Sequence, residues 1–348
     1  MENRPADRPC RHADRVRREG AEKMTKKQYD IAVLGELLID FTPVGVSEKG
    51  NPIFERNPGG GPANMACAAA RMGAKPYFIG KVGDDPFGRA LKKTLEDQGV
   101  DAGGLLLDRE APTTLAFVHL DETGERSFSF YRRGGADTLL RPEEADAGIL
   151  DRSRFFFCSS VMMAEGPSRE TSFFLMREAR RRGTPVVFDP NLRPNLWADG
   201  EEMRRIVRQA LPLADFLKVS EEEAQFLAGE AETEAAAAAL QKEFRPRLLL
   251  VTLGAEGVLA FAGKHPLRVP GFRVNAVDTT AAGDSFTGGF LAALLASGRE
   301  PEDLAPEELR AVLRTANAVG ALTASRKGSI SALPDKEETG RFLAEREG

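Results

Sequence analysis

RFFFCSSV, residues 154–161, reads as a strand, three phenylalanines and a cysteine closed by two serines, and it opens a regular alternation. A helical pattern follows over 168–182, then the strand TPVVFDPN (184–191), a helix over 200–210, the strand FLKVS (216–220) and a helix over 220–228. Beyond these come an Ala-rich helix (232–243), the strands RLLLVTLG (247–254) and GVLAFAG (257–263), and helices over 282–297 and 306–323. Strand and helix taking turns in this way means a mostly parallel sheet with helices on both faces, an α/β fold of three layers, α/β/α.

Working back toward the N-terminus, YDIAVLGELLIDF (29–41) reads as a buried first strand. NPGGGPANMACAAARMG (57–73) reads as a Gly-Pro turn opening a helix of small residues that Gly73 closes. KPYFIGKVG (75–83) is a strand, and DPFGRALKKTLEDQGV (85–100) an amphipathic helix with Asp85 as its N-cap. TTLAFVHLDETGERSFSFYRR (113–133) alternates on either side of Glu122-Thr123-Gly124, as a hairpin does. This hairpin and the segment 41–57 break the β-α rhythm and together suggest a small separate β-sheet, a lid over one edge of the main body. Residues 28–340 thus form one domain with the lid segments inserted. Residues 1–27 are polar, Arg-rich and poor in large apolar side chains, and read as a disordered tail.

Composition narrows the function. With 42% hydrophobic and 29% charged residues, the 348-residue chain is an ordinary globular protein. A net charge of -5 gives no electrostatic case for nucleic acid or an anionic membrane, and no apolar run has the ~20 residues of a membrane helix. Three cysteines without a C-x-x-C pair point to a reducing, cytoplasmic setting. Three scattered histidines leave no basis for a His-rich metal site or a Ser-His-Asp triad. Neither a P-loop nor a G-x-G-x-x-G after the first strand is present.

DTTAAGDSF (278–286) offers another way to handle phosphate. A short turn feeding a helix leaves its first N–H groups unpaired, and Ala281, Ala282 and Gly283 let an anion come close to the backbone. Asp284 beside that pocket can take a proton from a substrate hydroxyl, or it can simply cap the helix. Asp40 can hold two hydroxyls, and Gly60 and Gly61 leave room for a ligand that Asn64 can meet as donor and acceptor. Arg193 can meet phosphate or pair with Asp189. The Gly-flanked turn after residue 251 can border a nucleotide, and Ser220 with Glu223 is either a capping box or an acid near a metal.

GGGPANMACAAARMG followed by GKVGDDPFG resembles the first signature of the ribokinase-like (PfkB) carbohydrate kinases, and DTTAAGDSF resembles their second. Together with GELLIDF, FYR before GADTLL, and DPNLRPNLW, the chain from about Tyr29 onward is similar to the fructokinases of that family. The resemblance implies an ATP-dependent phosphotransferase with a ribokinase-like core and a small β-sheet lid. Asp284 would be the general base, and the backbone of Ala281, Ala282, Gly283 and Asp284 the anion hole. Asp40, Gly60, Gly61 and Asn64 would hold the sugar, with Arg193 near the transferring phosphate. Ser220, Thr252, Gly254, Glu256, Gly257, Gly283 and Asn317 would border ATP, and Glu223 would order the waters of Mg2+. Asp278, Thr280, Thr323, Arg326 and Gly328 match positions whose carbonyls bind a monovalent cation, usually K+, in relatives. Two departures stand out: Ser220 replaces the usual Asn of N-x-x-E, and Ala332 stands where a hydroxyl is common. A homodimer formed through the lid is also implied. A 2-keto-3-deoxygluconate kinase is the nearest alternative, needing an Arg such as Arg132 or Arg133 for its carboxylate, and a sugar-sensing binder without catalysis is a more distant one.

Overall fold

In the first strand, β1 (Tyr29–Leu34), Ile31 and Val33 join one hydrophobic core while Ala32 and Leu34 join another. A strand whose alternate side chains are all apolar must lie between two layers, and this one sits inside a nine-stranded sheet. The computed structural model describes residues 27–120, 126–262 and 266–346. The expected tail, apart from Lys27, and the Glu122–Gly124 hairpin turn lie outside them.

After β1 the chain forms β2 (Leu38–Val46), β3 (Pro52–Gly59), α1 (Gly61–Arg71), β4 (Pro76–Gly83), α2 (Pro86–Asp97) and β5 (Asp101–Asp108). β6 (Leu115–Leu120), β7 (Arg126–Tyr131), β8 (Ser153–Ser159), α3 (Gly166–Arg182), β9 (Val186–Asp189) and α4 (Gly200–Ala210) follow. The last part runs β10 (Phe216–Ser220), α5 (Glu221–Ala228), α6 (Thr233–Phe244), β11 (Leu248–Thr252), β12 (Val258–Phe261) and β13 (Pro266–Val269). Helices α7 (Ala282–Ser297), α8 (Pro306–Ala324) and α9 (Lys336–Ala344) complete it. The main sheet has the order β13-β12-β11-β10-β9-β8-β1-β4-β5, and a second sheet has the order β3-β2-β6-β7. Helices α1, α2, α7 and α8 cover one face of the main sheet, and α3 to α6 the other. The three-layer α/β/α architecture with a small extra sheet is as expected.

The main sheet is mostly parallel, as expected, and two details differ from the sequence expectation. Residues 29–41 are not one strand: β1 stops at Leu34 and β2 belongs to the second sheet. Gly35 lies so close to Pro62 that a Cβ there would approach its ring to 2.1 Å, and the chain turns out of the main sheet at this point. Asp40 therefore sits on the small sheet, not at the carboxyl end of a main-sheet strand. The far edge, β11-β12-β13, is antiparallel, because the four-residue turn after Leu253 is too short for a parallel crossover. Finally, β5, β13 and α9 were not anticipated, β5 because its AGG start lacks strand-like alternation.

Two glycines set the position of α7. A Cβ on Gly288 would stand 2.6 Å from the Met65 carbonyl of α1, and one on Gly289 would stand 2.8 Å from Val319 of α8. Residues without side chains let the α1 backbone and the Val319 side chain come this close to α7. Gly288→Val is expected to push α1 and α7 apart at a cost of about 1–3 kcal/mol, read as a lower melting temperature. Turnover should fall as well, because Asn64 and Asp284 meet one turn away. An unchanged melting temperature would count against this packing account.

Candidate active site

Asp284 stands in the first turn of α7, whose N-cap Ala281 offers no side-chain hydrogen bond. Its carboxylate is buried and accepts two amide hydrogen bonds, from Asn64 Nδ2 to Oδ2 at 2.9 Å and from Asn191 Nδ2 to Oδ1 at 3.1 Å. Two donors from separate elements fix the plane of the carboxylate. Burial pushes Asp284 above the ordinary carboxylate range, while the Asn64 hydrogen bond, Arg193 and Lys218 pull it back. The Ala282 amide donates to the Thr279 carbonyl at 3.1 Å, so it serves the turn rather than an anion. Of the amides expected to form the anion hole, those of Ala281, Gly283 and Asp284 remain candidates, since amides at a helix start have no helical carbonyl before them.

Asp284 opens on a cleft that Asp40, Gly60, Gly61, Asn64 and Arg193 also line, so the expected sugar-facing residues are brought together. A Cβ on Gly61 would fall 2.3 Å from Asn191 Nδ2 and 3.2 Å from Asp284 Oδ1, so a side chain there would displace the groups it meets. Gly60 has φ +114 and presses against the Glu36 carbonyl. Asp40 is half-buried, and desolvation pushes its carboxyl up to about 7 with Arg193 opposing. Arg193 does not pair with Asp189, which holds Lys218 at 3.0 Å instead. Asn64 Oδ1 is buried without a partner, an acceptor left for a ligand hydroxyl.

The residues expected around a nucleotide lie along the ends of β10 and β11. Ser220 caps α5 by accepting from the Glu223 amide at 3.2 Å, and Glu223 returns the bond to the Ser220 amide at 2.9 Å. The other Glu223 oxygen accepts from the Leu192 amide at 2.6 Å, which ties α5 to the loop after β9. Thr252 ends β11, and Gly254 and Gly257 both have positive φ in the turn that follows. A Cβ on Gly257 would reach the Val269 carbonyl at 2.1 Å. Glu256 points outward and pairs with Arg268 at 3.3 Å. Asn317 spends its amide on the Val269 and Pro270 carbonyls at 3.3 and 3.0 Å, so here it shapes the loop after β13.

Asp278 knits the turn before α7 to the loop after α8. Its Oδ1 accepts from the Thr280 amide and hydroxyl, and its Oδ2 accepts from the Gly328 amide at 3.2 Å. Thr323 donates to Val319 O within α8, and Arg326 pairs with Glu338 on α9. Ser329, beside Gly328, donates to the Pro58 carbonyl at the end of β3 at 2.8 Å. Among the described residues no cluster of three His, Cys, Asp or Glu side chains suits a metal ion. A cation at this loop would therefore depend on carbonyls.

Residues 28–336 match the family described as pfkB family carbohydrate kinase. The chain belongs to this family. Fructokinase-1 of Oryza sativa subsp. japonica is 42% identical to this kinase over 318 residues, covering 90% of the chain and 97% of the relative. A fructokinase with bound ATP from Xylella fastidiosa superposes with a TM-score of 0.82 at 36% identity, covering 92% of this chain and 99% of that one. A fructokinase from Vibrio cholerae O395 in a fructose, ADP and calcium ion bound form gives a TM-score of 0.81 at 35% identity, covering 90% and 99%.

Sequence reasoning missed three polar residues of this kinase, two in the cleft wall and one behind it. Glu36 is buried in the cleft wall and accepts from the Gly61 amide at 2.9 Å; burial pushes its carboxyl up to about 7 despite Arg132 nearby. Its signal was an acid directly after Gly35 at a strand end. Asn191 has φ +47, a conformation that Asn tolerates better than most residues, and DPN announces it. Lys218 is a lysine inside a buried strand, unusual enough to mark on its own.

Proposed function

We propose that this carbohydrate kinase is an ATP-dependent fructokinase that phosphorylates the C6 hydroxyl of D-fructose in the cytoplasm. The observation that carries this reading is Asp284, a buried carboxylate held by two amides at the uncapped start of a helix and facing a polar cleft. The sugar's primary hydroxyl gives its proton to Asp284 while its oxygen forms a bond to the γ-phosphorus of ATP. The bond from that phosphorus to the β-phosphate oxygen breaks, and ADP leaves with the electron pair. The Ala281, Gly283 and Asp284 amides and Arg193 stabilise the charge on the transferring group. Asp40, Asn64 and the backbone at Gly60 and Gly61 hold the other hydroxyls.

The uncapped helix start and the side-chain-free approach at Gly283 suit triphosphate. Ser220, Thr252, Gly254, Glu256 and Gly257 border the nucleotide, with Asn317 supporting that wall from behind. Glu223 keeps acceptor capacity beyond its two backbone bonds and would hold the waters of Mg2+, which neutralises phosphate charge when bound. The carbonyls of Asp278, Thr280, Thr323, Arg326 and Gly328 would take K+.

Residues 28–340 act as one domain, and the small sheet acts as a lid that keeps water from the phosphoryl group. Val44, Val46, Ile53 and Tyr131 of this sheet are exposed, and two copies pair through it; a monomer by light scattering at assay concentration would remove that part. No helix among the described residues is long and apolar enough to cross a membrane, and Cys67 and Cys158 are buried thiols without a disulfide.

One observation favours a second reading. Arg132 lines the cleft, its Nε is bound to Asp137 at 2.7 Å, and its two terminal nitrogens are buried without a hydrogen-bond partner. A guanidinium edge of this kind suits a carboxylate, as in 2-keto-3-deoxygluconate. Asp40 in the same cleft opposes one. An ADP-release assay over fructose, ribose, 2-keto-3-deoxygluconate and adenosine separates the readings. Fructose is expected to give the highest kcat/KM; a higher value for the keto acid would replace the first reading with the second.

A further inference from the structure

β9 and β10 are neighbours in the main sheet, and their ends place a lysine beneath the first turn of α7. Lys218 Nζ lies 3.0 Å from Asp189 Oδ2, and both side chains are more than nine-tenths buried. A Cβ on Gly283 would come within 3.2 Å of that nitrogen, so the ammonium abuts the residue just before Asp284. Thr287, one turn further along α7, donates to Asp189 Oδ2 at 3.3 Å, while Asp189 Oδ1 has no partner. Neither Lys218 nor Asp189 lines the cleft. A buried ion pair is a weak stabilising device, since desolvating two charges costs about as much as their attraction returns. Its position suggests a different use.

We propose that Lys218 is a positioning residue, a buried counter-charge beneath α7 that keeps Asp284 ionised as the phosphates of ATP come in beside it, and that Asp189 sets how much of that charge reaches Asp284. The inference rests on Asp284 being the general base. Negative charge arriving at the helix start drives a neighbouring carboxylate toward its protonated form, in which it cannot take the hydroxyl proton. A fixed ammonium on the far side of the turn opposes that drift without touching substrate.

Several other groups act on Asp284. Asn64 from α1 and Asn191 and Arg193 from the loop after β9 favour its charged form. Glu223 from α5 and Asp189 from β9 disfavour it. Glu36, Asp40 and Arg132 line the same cleft. Desolvation works against the Lys218 ammonium, but Asp189, Glu223 and Asp284 together hold it protonated.

Asp189 and Lys218 carry opposite charges, so neutralising each should move the base in opposite directions. The experiment measures kcat against pH, with sugar and ATP saturating, for Lys218→Gln and Asp189→Asn. In Lys218→Gln the acid limb is expected to rise by about one pH unit, with kcat down roughly tenfold at pH values below the wild-type midpoint and sugar KM changed less than about threefold. In Asp189→Asn the acid limb is expected to move to lower pH. A pair that only stabilises the fold would lower the melting temperature in both variants and leave both limbs in place. Unmoved limbs, or limbs that move together, overturn the proposal. Should Lys218→Gln fail to fold, Asp189→Asn decides alone, and a limb that stays or rises overturns it. Asp284→Asn runs alongside: if it keeps wild-type turnover, the base assignment has failed, a result distinct from failure of the Lys218 role.

Discussion

Asp284→Asn is expected to lower kcat by at least about a hundredfold while sugar KM and the melting temperature stay close to wild type. General-base catalysis is worth about 10²–10⁴ in rate, and Asn keeps the shape of Asp but cannot take the proton. The fold can absorb the change. Asp284 now faces two amide donors, so an Asn here would oppose one of them with its own NH2. With the oxygen of the new Asn kept toward Asn64, only the Asn191 amide has to turn over to accept from the new NH2, and Asn64 keeps its acceptor for the sugar. If Asp284 were only a cap, Asn would replace it at little cost and turnover would hardly change. Steady-state kinetics on this one variant separates the two roles. The wild-type pH profile gives a companion check. Asp284 is raised above the usual carboxylate range and works only when ionised, so kcat should fall as pH drops through that raised value.

Asp40→Ala should act on binding more than on chemistry. Its carboxylate comes into the cleft from β2, and Gly59, two residues beyond its β3 partner Asn57, leaves space that a Cβ would fill at 2.0 Å from Oδ2. Losing two hydrogen bonds to an ionised acceptor, at roughly 1.5–3 kcal/mol each, should raise sugar KM more than tenfold with a smaller change in kcat. Desolvation holds the free Asp40 near 7, so its charged form is present only above that pH, and kcat/KM should weaken as pH falls through about 7. Asp40→Ala should lose part of that dependence, with Glu36 still titrating in the same range. A variant with wild-type KM for every accepted sugar would remove Asp40 from the site.

Much of this architecture was legible in the sequence because strand and helix alternate with different periods. The capping residues Asp85 and Ser220 were legible too, since a cap depends on neighbours only three residues away. What local pattern could not show was where the first strand ends. Apart from Asp30, Glu36 and Asp40, residues 29–41 carry no charge that would mark a break, and only the approach of Pro62 to Gly35 reveals the bend. The meeting of Asn64 with Asp284 joins residues 220 positions apart, and it depends on Gly288 admitting α1. Glu36 and Lys218 went unread for a related reason. Each is an isolated charge in an apolar strand segment, and its meaning comes from partners that strand pairing and helix packing bring to it.

Because β2 and β7 carry Asp40 and lead into Arg132, while Asp284, Asn191 and Arg193 belong to the main body, the cleft is shared between two sheets. Only short stretches of chain near residues 35–37, 60, 113–114 and 132 join them. Affinity for the sugar is therefore not a property of either half. If the small sheet spends a fraction f of its time seated on the body, the measured dissociation constant is the intrinsic one divided by f. Substitutions far from any hydroxyl, in the joining stretches or in the Ser329–Pro58 tether, would then change apparent affinity through f alone, leaving every direct contact to the sugar in place.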